Sequence, residues 1–233
     1  MRLVFLALSQ LQTFSLVSTH SSIWLLNRPW CYIGQANLHA AAKELAEERP
    51  GISVEVTWKP FLLRPDTPEG GTPKAPDTPD NPRVGARLRA AGLAAGVNFT
   101  GLTDRSPNSV RAHALAKFFE ASTEHRGLQD AFMGIVFRHY FTDGKYPDAA
   151  NLRDAAAEAG LGGADLEAAV AYMEDRERQA EVSIEARGYS ARGIRGVPYF
   201  VISSGGSSGG GEGFSGAQPP AVLQQAMLAA LEA

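Results

Sequence analysis

Strand-like texture occurs at two well separated places in this chain, and helix-like texture fills most of the stretch between them. In residues 52–58, Ile52, Val54, Val56 and Trp58 alternate with Ser53, Glu55 and Thr57, the period-two pattern of a half-buried β-strand. The second run is Tyr199, Phe200, Val201 and Ile202, introduced by Gly196, Val197 and Pro198. Residues 83–189 between them are Ala-rich, with apolar positions at helical spacing. This order reads as one discontinuous α/β domain, residues 22–65 and 188–233. A loop plus helical lobe, residues 66–187, interrupts it, and residues 1–21 form a separate extension.

The elements follow from local signals. Ile23, Trp24, Leu25 and Leu26 are a short strand candidate, and residues 35–48, rich in Ala, Leu, Lys and Glu, read as a helix. With residues 52–58 they make a right-handed βαβ unit. Prolines recur from Pro60 to Pro82, which forbids a regular element and predicts a long surface loop. Ser106 and Pro107 read as a cap and first-turn proline opening a helix to Glu124. Further helices are expected over 128–140, from Pro147 and Asp148 to a left-handed stop at Gly160, over 164–173 and over 176–187. The Gly/Ser run 203–213 reads as a loose connection. Phe214 and Ser215 then return as a strand, and residues 219–231 as a closing helix.

Chemistry centres on Cys31, the single cysteine of 233 residues. It allows no internal disulfide, so no covalent framework supports the fold. It lies in Arg28-Pro29-Trp30-Cys31-Tyr32-Ile33-Gly34, at the start of the helix. There, exposed N–H groups, the dipole and the nearby Arg28 charge lower a thiol pKa. The competing reading is a small, buried, inert apolar residue.

Other classes are set aside on composition. The chain is 44% hydrophobic and 20% charged with a net charge of −3, which suggests neither nucleic acid nor an anionic membrane surface. No apolar stretch reaches the ~20 residues of a spanning helix. Met1 and Arg2 before Leu3 to Leu8 have the order of a short signal peptide, but an edge strand or plain extension weighs more, and a cytoplasmic location is expected. His20, His39 and His125 show no ligand spacing, so no metal is expected. The glycines 205–213 lack the Lys-Ser/Thr ending of a phosphate cradle. Tyr140 and Phe141 read as core aromatics.

The segment from Pro29 to Gly34 closely resembles the active site of the DsbA-like thioredoxin-fold family, in particular its FrnE-like branch, where it reads C-P-W-C-Y-I-G. The resemblance extends to Trp58-Lys59-Pro60-Phe61-Leu62-Leu63-Arg64-Pro65-Asp66, to Asn108 with Ala112 and His113, and to Tyr140-Phe141-Thr142-Asp143-Gly144. It also covers Gly196-Val197-Pro198-Tyr199-Phe200 and Ser215-Gly216-Ala217-Gln218-Pro219-Pro220. It implies a thioredoxin-like fold with an all-helical insertion between its second and third strands. It also implies thiol–disulfide oxidoreductase chemistry, with Cys31 as the second cysteine of the pair and Arg28 in place of the first.

On the same ground the Val197–Pro198 bond is expected to be cis and to face the active-site helix. Arg28, Trp30, Val197, Pro198 and His113 are then the substrate-contact candidates, His113 having a packed interface histidine as its other reading. No cofactor is implied, and glutathione or another small thiol fits as co-substrate. Partners are a peptide, a protein or a small thiol or disulfide, with a homodimer allowed. Lacking the attacking sulfur, the chain is read as an impaired or monothiol oxidoreductase. The alternatives are a non-catalytic, chaperone-like peptide-binding module and a glutathione-dependent isomerase or transferase. The last places a small hydroxyl residue where this chain has Arg28, with Ser21 and Ser22 upstream.

Overall fold

The first strand, β1 (Ser15–Trp24), starts eight residues before the apolar run that suggests it. Its earlier half is Ser/Thr-rich, a weak strand signal, and is held by neighbours on both sides. The computed structural model describes residues 15–24, 28–204 and 213–232. The signal-like Leu3 to Leu8, Leu25 and Leu26, and residues 205–212 of the Gly/Ser run lie outside them.

After β1 come α1 (Pro29–Glu48) and β2 (Ile52–Pro60). β2 pairs with β1 in parallel, from Ser15 opposite Ile52 to Trp24 opposite Pro60, so the expected βαβ unit is present. The insertion follows. A two-residue strand β3 (Thr72–Pro73) lies in the proline-rich loop, and α2 (Ala86–Ala94) precedes β4 (Arg105–Ser106), which pairs antiparallel with β3. Then come α3 (Val110–Ala121), α4 (Gln129–Phe141), α5 (Ala149–Glu158), α6 (Gly163–Glu174) and α7 (Arg176–Ala191). The insertion is therefore helical apart from one short ladder. That ladder makes Ser106 a strand residue, not a cap. α3 starts at Val110, whose N–H donates to Asn108 Oδ1 at 2.9 Å. The Asp148 cap and the positive φ of Gly160 (115°) hold α5 at the expected ends.

The chain returns to the sheet as β5 (Tyr199–Val201), β6 (Ser203–Ser204) and β7 (Gly213–Ser215), and closes with α8 (Pro220–Glu232). The strand order is β2-β1-β5-β7, with β6 also pairing with β1. β5 is antiparallel to both β1 and β7. Ser203, Ser204 and Gly213 belong to these strands, so the ordered hairpin reaches further into the Gly/Ser run than its composition suggests. The result is the thioredoxin-like arrangement, with the helical insertion between the second and third strands of the parallel-antiparallel sheet.

Two apolar layers hold it. Leu38, Ala41 and Leu45 of α1 meet Phe200 and Ile202 and, from α8, Leu223 and Met227 in one buried cluster. A larger cluster joins Cys31 and Trp58 to the insertion through Leu115, Phe119, Phe132 and Phe137. At ~25 cal/mol per Å² of apolar surface buried, clusters of this kind are the main favourable term. That burial stands in for the disulfides the chain cannot make.

Candidate active site

The site starts where β1 hands over to α1. Pro29 occupies the first helical position, where its fixed φ suits the helix and its missing N–H is no loss. Arg28 is the N-cap residue, in extended conformation (φ −106°, ψ 106°), and its side chain makes no capping bond. Its carbonyl accepts the Cys31 N–H at 2.9 Å, closing the first turn. Arg28 is exposed, whereas Cys31, three residues on, is 0% exposed. The helical period explains the contrast. Cys31, Gln35, Leu38, Ala41 and Leu45 recur at intervals of three and four and lie on a buried face of α1.

The second wall of the site is the turn into β5. The Val197–Pro198 peptide bond is cis. Val197 packs against the cluster that contains Cys31, and Pro198 packs against α1 itself. A Cβ on Gly34 would lie 2.9 Å from Pro198 Cγ and 3.2 Å from Phe200 Cζ. Gly34 is therefore what lets the proline edge approach the helix one turn after Cys31. The Pro198 carbonyl accepts the Gly216 N–H at 2.8 Å, which ties this edge to β7. Among the described residues, the Val197 backbone takes part in no ladder or turn hydrogen bond.

Gly34→Ala tests this contact. Alanine is the better helix former by ~1 kcal/mol, but its methyl group would meet a rigid pyrrolidine ring, and overpacking costs roughly 1–3 kcal/mol. The expected result is a net loss of up to about 2 kcal/mol in urea unfolding, with displacement of the proline edge visible as changed NMR shifts at Val197. A stabilised variant with unmoved Val197 signals would mean the contact is slack.

The other candidates divide. Trp30 is half-buried and packs on the cluster of Ile33, Val84, Val97 and Phe99, with the Arg87 guanidinium 5.8 Å from its ring centroid. It thus borders the α1 start on the α2 side. His113 is 1% exposed on α3, and burial pushes its pKa down to about 3. It stays neutral at working pH and has no open face for a ligand. Of the two readings of His113 this burial supports the packed histidine, since α3 turns it inward beside Ala112, Ala114 and Leu115, all buried. Tyr140 is likewise core, 1% exposed, with its hydroxyl donating to the Arg105 carbonyl at 2.9 Å. Among the described residues no group of three or more His, Cys, Asp or Glu side chains is placed to hold a metal, and no helix is long and apolar enough to cross a membrane.

The residues that pin the insertion to the site are Gln129 and Asp130, at the start of α4. Asp130 Oδ1 accepts from Gln35 Nε2 (2.9 Å) and from Trp58 Nε1 (2.8 Å), while His39 Nε2 lies 2.6 Å from Oδ2. Gln129, fully buried, accepts the Trp58 N–H at 2.9 Å and donates to the Trp58 and Ala116 carbonyls at 3.2 and 2.9 Å. Lys59 and Glu120 form a further ion pair between β2 and α3. The legible signal was two polar residues heading an apolar helix, which spacing alone does not distinguish from an ordinary exposed first turn.

Known proteins resemble this chain in sequence and in fold. The family model described as the DSBA-like thioredoxin domain matches residues 26–228. The uncharacterized protein YwbO of Bacillus subtilis is 29% identical over 176 residues, covering 75% of this chain and 81% of that protein. The crystal structure of a probable DsbA oxidoreductase from Streptomyces coelicolor superposes with a TM-score of 0.68 at 26% identity, covering 94% of this chain and 90% of the other. The cytosolic disulfide reductase DsbM of Pseudomonas aeruginosa shares the fold, with a TM-score of 0.60 at 21% identity over 93% of this chain and 98% of that one.

Proposed function

Because the chain belongs to the DSBA-like thioredoxin domain family, we propose that it acts as a monothiol member of it, exchanging one small disulfide at a time through Cys31. The observation that carries this reading is the position of the chain's one thiol. It lies in the first turn of α1, in the same cluster as Val197 and one turn from Pro198. In the exchange, the Cys31 thiolate attacks one sulfur of a disulfide R–S–S–R′. A Cys31–S–S–R bond forms as the R–S–S–R′ bond breaks, and R′–S⁻ leaves. A second small thiol then attacks the mixed disulfide, restores Cys31 and carries R away as a new disulfide. The disulfide is reduced, the co-substrate thiol is oxidised, and glutathione is the class of thiol that fits. Intramolecular resolution is absent, since no second cysteine exists. A cytoplasmic setting, rich in small thiols, suits this need.

The full burial of Cys31 restricts the partner. A protein disulfide cannot reach a sulfur with 0% exposure, so small disulfides are the preferred substrates and the first turn of α1 must part from the core for attack. The same burial favours a second reading, a non-catalytic module that binds extended peptide along Val197 and Pro198. An isomerase or transferase reading lacks its hydroxyl residue at the helix start, where Arg28 and Pro29 stand.

Cys31→Ser separates these. The expected outcome is that thiol release from a glutathione–cysteamine mixed disulfide, with excess glutathione, falls to the uncatalysed rate. Mass spectrometry of the unaltered chain with oxidised glutathione should show one adduct, at Cys31. Equal rates for both proteins would remove Cys31 from any mechanism and leave the binding module.

A further inference from the structure

A cavity of about 160 Å³ opens beside Pro29. Its walls include Phe99, Tyr140 and Phe141, and two cations, Lys74 and Arg83, line it. Lys74 Nζ donates to Thr103 Oγ1 at 2.8 Å and to the Thr103 carbonyl at 3.3 Å, and sits 4.8 Å from the Tyr140 ring centroid. An ammonium has three N–H donors, and these contacts use two. The Arg83 guanidinium donates to the backbone carbonyls of Ala75 and Gly101, both at 3.2 Å, and the Arg83 backbone N–H donates to Asp77 Oδ1 at 2.8 Å. Asp104, the neighbouring acid, is mostly exposed and lies 4.0 Å from Arg105. Among the described residues no carboxylate comes within ion-pairing distance of Lys74 or of the Arg83 guanidinium.

Two cations lining one partly buried, aromatic-walled cavity without a counter-ion are unfavourable as they stand. Each raises the cost of the other, and charges taken from water need pairing. An anion seated between them would remove that cost. The walls set its other half. An apolar cavity of about 150 Å³ accepts a benzene-sized molecule, so this one takes a ring-sized apolar body against Phe99 and Phe141. We propose that this cavity is a binding site for a small organic carboxylate, its carboxylate held by Lys74 and Arg83 and its apolar part by the aromatic wall. The sulfur of Cys31 takes no part in the site.

The charged and titratable groups facing Lys74 are Arg83, Asp104 and Tyr140. Burial and the Arg83 charge lower Lys74 to about 8, against a smaller upward pull from Asp104. Burial pushes Tyr140 upward, out of the range of interest. Affinity should therefore hold from pH 6 to 7 and weaken as pH rises past 8, where Lys74 loses its charge.

The test is calorimetric titration of the full chain with benzoate, beside benzyl alcohol and inorganic phosphate. Benzoate should bind one to one, benzyl alcohol and phosphate at least about tenfold more weakly, since each supplies half of the recognition. Lys74→Gln and Arg83→Gln should each weaken benzoate by about tenfold or more, the loss of one charge-assisted hydrogen bond. A structural role for Lys74 predicts that Lys74→Gln lowers the melting temperature. A ligand role predicts a melting temperature unchanged or raised, because an unpaired cation has gone. No benzoate binding at millimolar concentration, equal binding by the folded Lys74→Gln chain, or binding of phosphate in preference to benzoate would each overturn the proposal. Should Lys74→Gln not fold, Arg83→Gln and the pH profile of the unaltered chain decide the matter.

Discussion

Asp130→Ala is expected to destabilise the chain by about 3 kcal/mol and to loosen the helical insertion from the sheet before the sheet itself opens. The substitution removes the acceptor of the Trp58 indole N–H and leaves Gln35 Nε2 only the Asp130 backbone carbonyl, at 3.0 Å. Gln35 Nε2 and Trp58 Nε1 both point at Asp130 Oδ1, and Trp58 is 1% exposed. A buried donor that loses its partner costs roughly 1–3 kcal/mol; the Trp58 indole sets the scale, and the lost carboxylate bonds of Gln35 and His39 add to it. Asp130 keeps a quarter of its side chain in water, which holds the total below the sum.

The pH dependence has two signs. Burial raises the Asp130 carboxyl, but the His39 hydrogen bond and charge, with the hydrogen bonds of Gln35 and Trp58, outweigh it and leave Asp130 below the usual carboxylate range. That contribution is present above the unfolded value near about 3.9 and is lost as pH falls through the lowered folded one. The Asp130 hydrogen bond raises His39, against burial, with the Asp130 charge adding to the rise. This part is complete below about 6.5 and disappears as pH rises through the raised folded value. The gap between the unaltered chain and Asp130→Ala should therefore be widest at about pH 4–6.5 and shrink on both sides. His39 is half exposed, so its share is the smaller. Urea midpoints across pH 3–9 for both proteins check this. A gap that does not vary with pH would mean the carboxylate is only a hydrogen-bond acceptor and the His39 pairing is incidental.

The latch also shows where sequence reading stops. The β2 strand was legible because Ile52, Val54, Val56 and Trp58 carry their own alternation, and α5 because Asp148 and Gly160 mark its ends. β1 was mostly illegible. Its Ser/Thr-rich half becomes a strand through β2 on one side and β6 on the other, and neither partner is adjacent in sequence. α3 was misplaced at its start for a related reason. Ser106 and Pro107 form a good local cap signal, but Ser106 pairs with Thr72 across the β3-β4 ladder, and a tertiary pairing overrides a local propensity.

The site divides in the same way. Pro198 against α1 came from a family resemblance, and the structure shows its physical basis in a missing Cβ at Gly34. Gln129 and Asp130 were invisible, because a polar first turn carries no sign of what it faces. His113 stood between two readings, since an imidazole in a helical motif looks chemical until its burial is known. The Lys74 cavity was hidden in a loop whose prolines had been read only as breakers.

Arg28→Cys carries the largest expected change in activity. Arg28 is exposed, its side chain makes no cap bond, and substitution of such a surface position changes stability by only about 0.5 kcal/mol. What it supplies is a second thiol at the helix N-cap. The 2.9 Å hydrogen bond from Cys31 N to Arg28 O closes a four-residue turn, in which the end Cα atoms lie within about 7 Å. That overlaps the range of about 4.4–6.8 Å that a disulfide spans. The introduced thiol is exposed and becomes the attacking sulfur, while Cys31, buried beneath it, becomes the resolving one. Resolution then needs no external thiol. Because well-oriented intramolecular reactions far exceed millimolar co-reactants in effective concentration, turnover on a protein disulfide should rise by on the order of 10²-fold or more. Reduction of insulin by dithiothreitol, followed by turbidity, gives the rate, and intact mass before and after oxidation gives the loss of two hydrogen atoms on disulfide formation. A variant that folds but keeps both thiols free and gains no activity would show that the Cys31 sulfur does not turn toward the N-cap. The monothiol proposal would fall with it, because the first attack by Cys31 on a disulfide needs the same approach from the helix start.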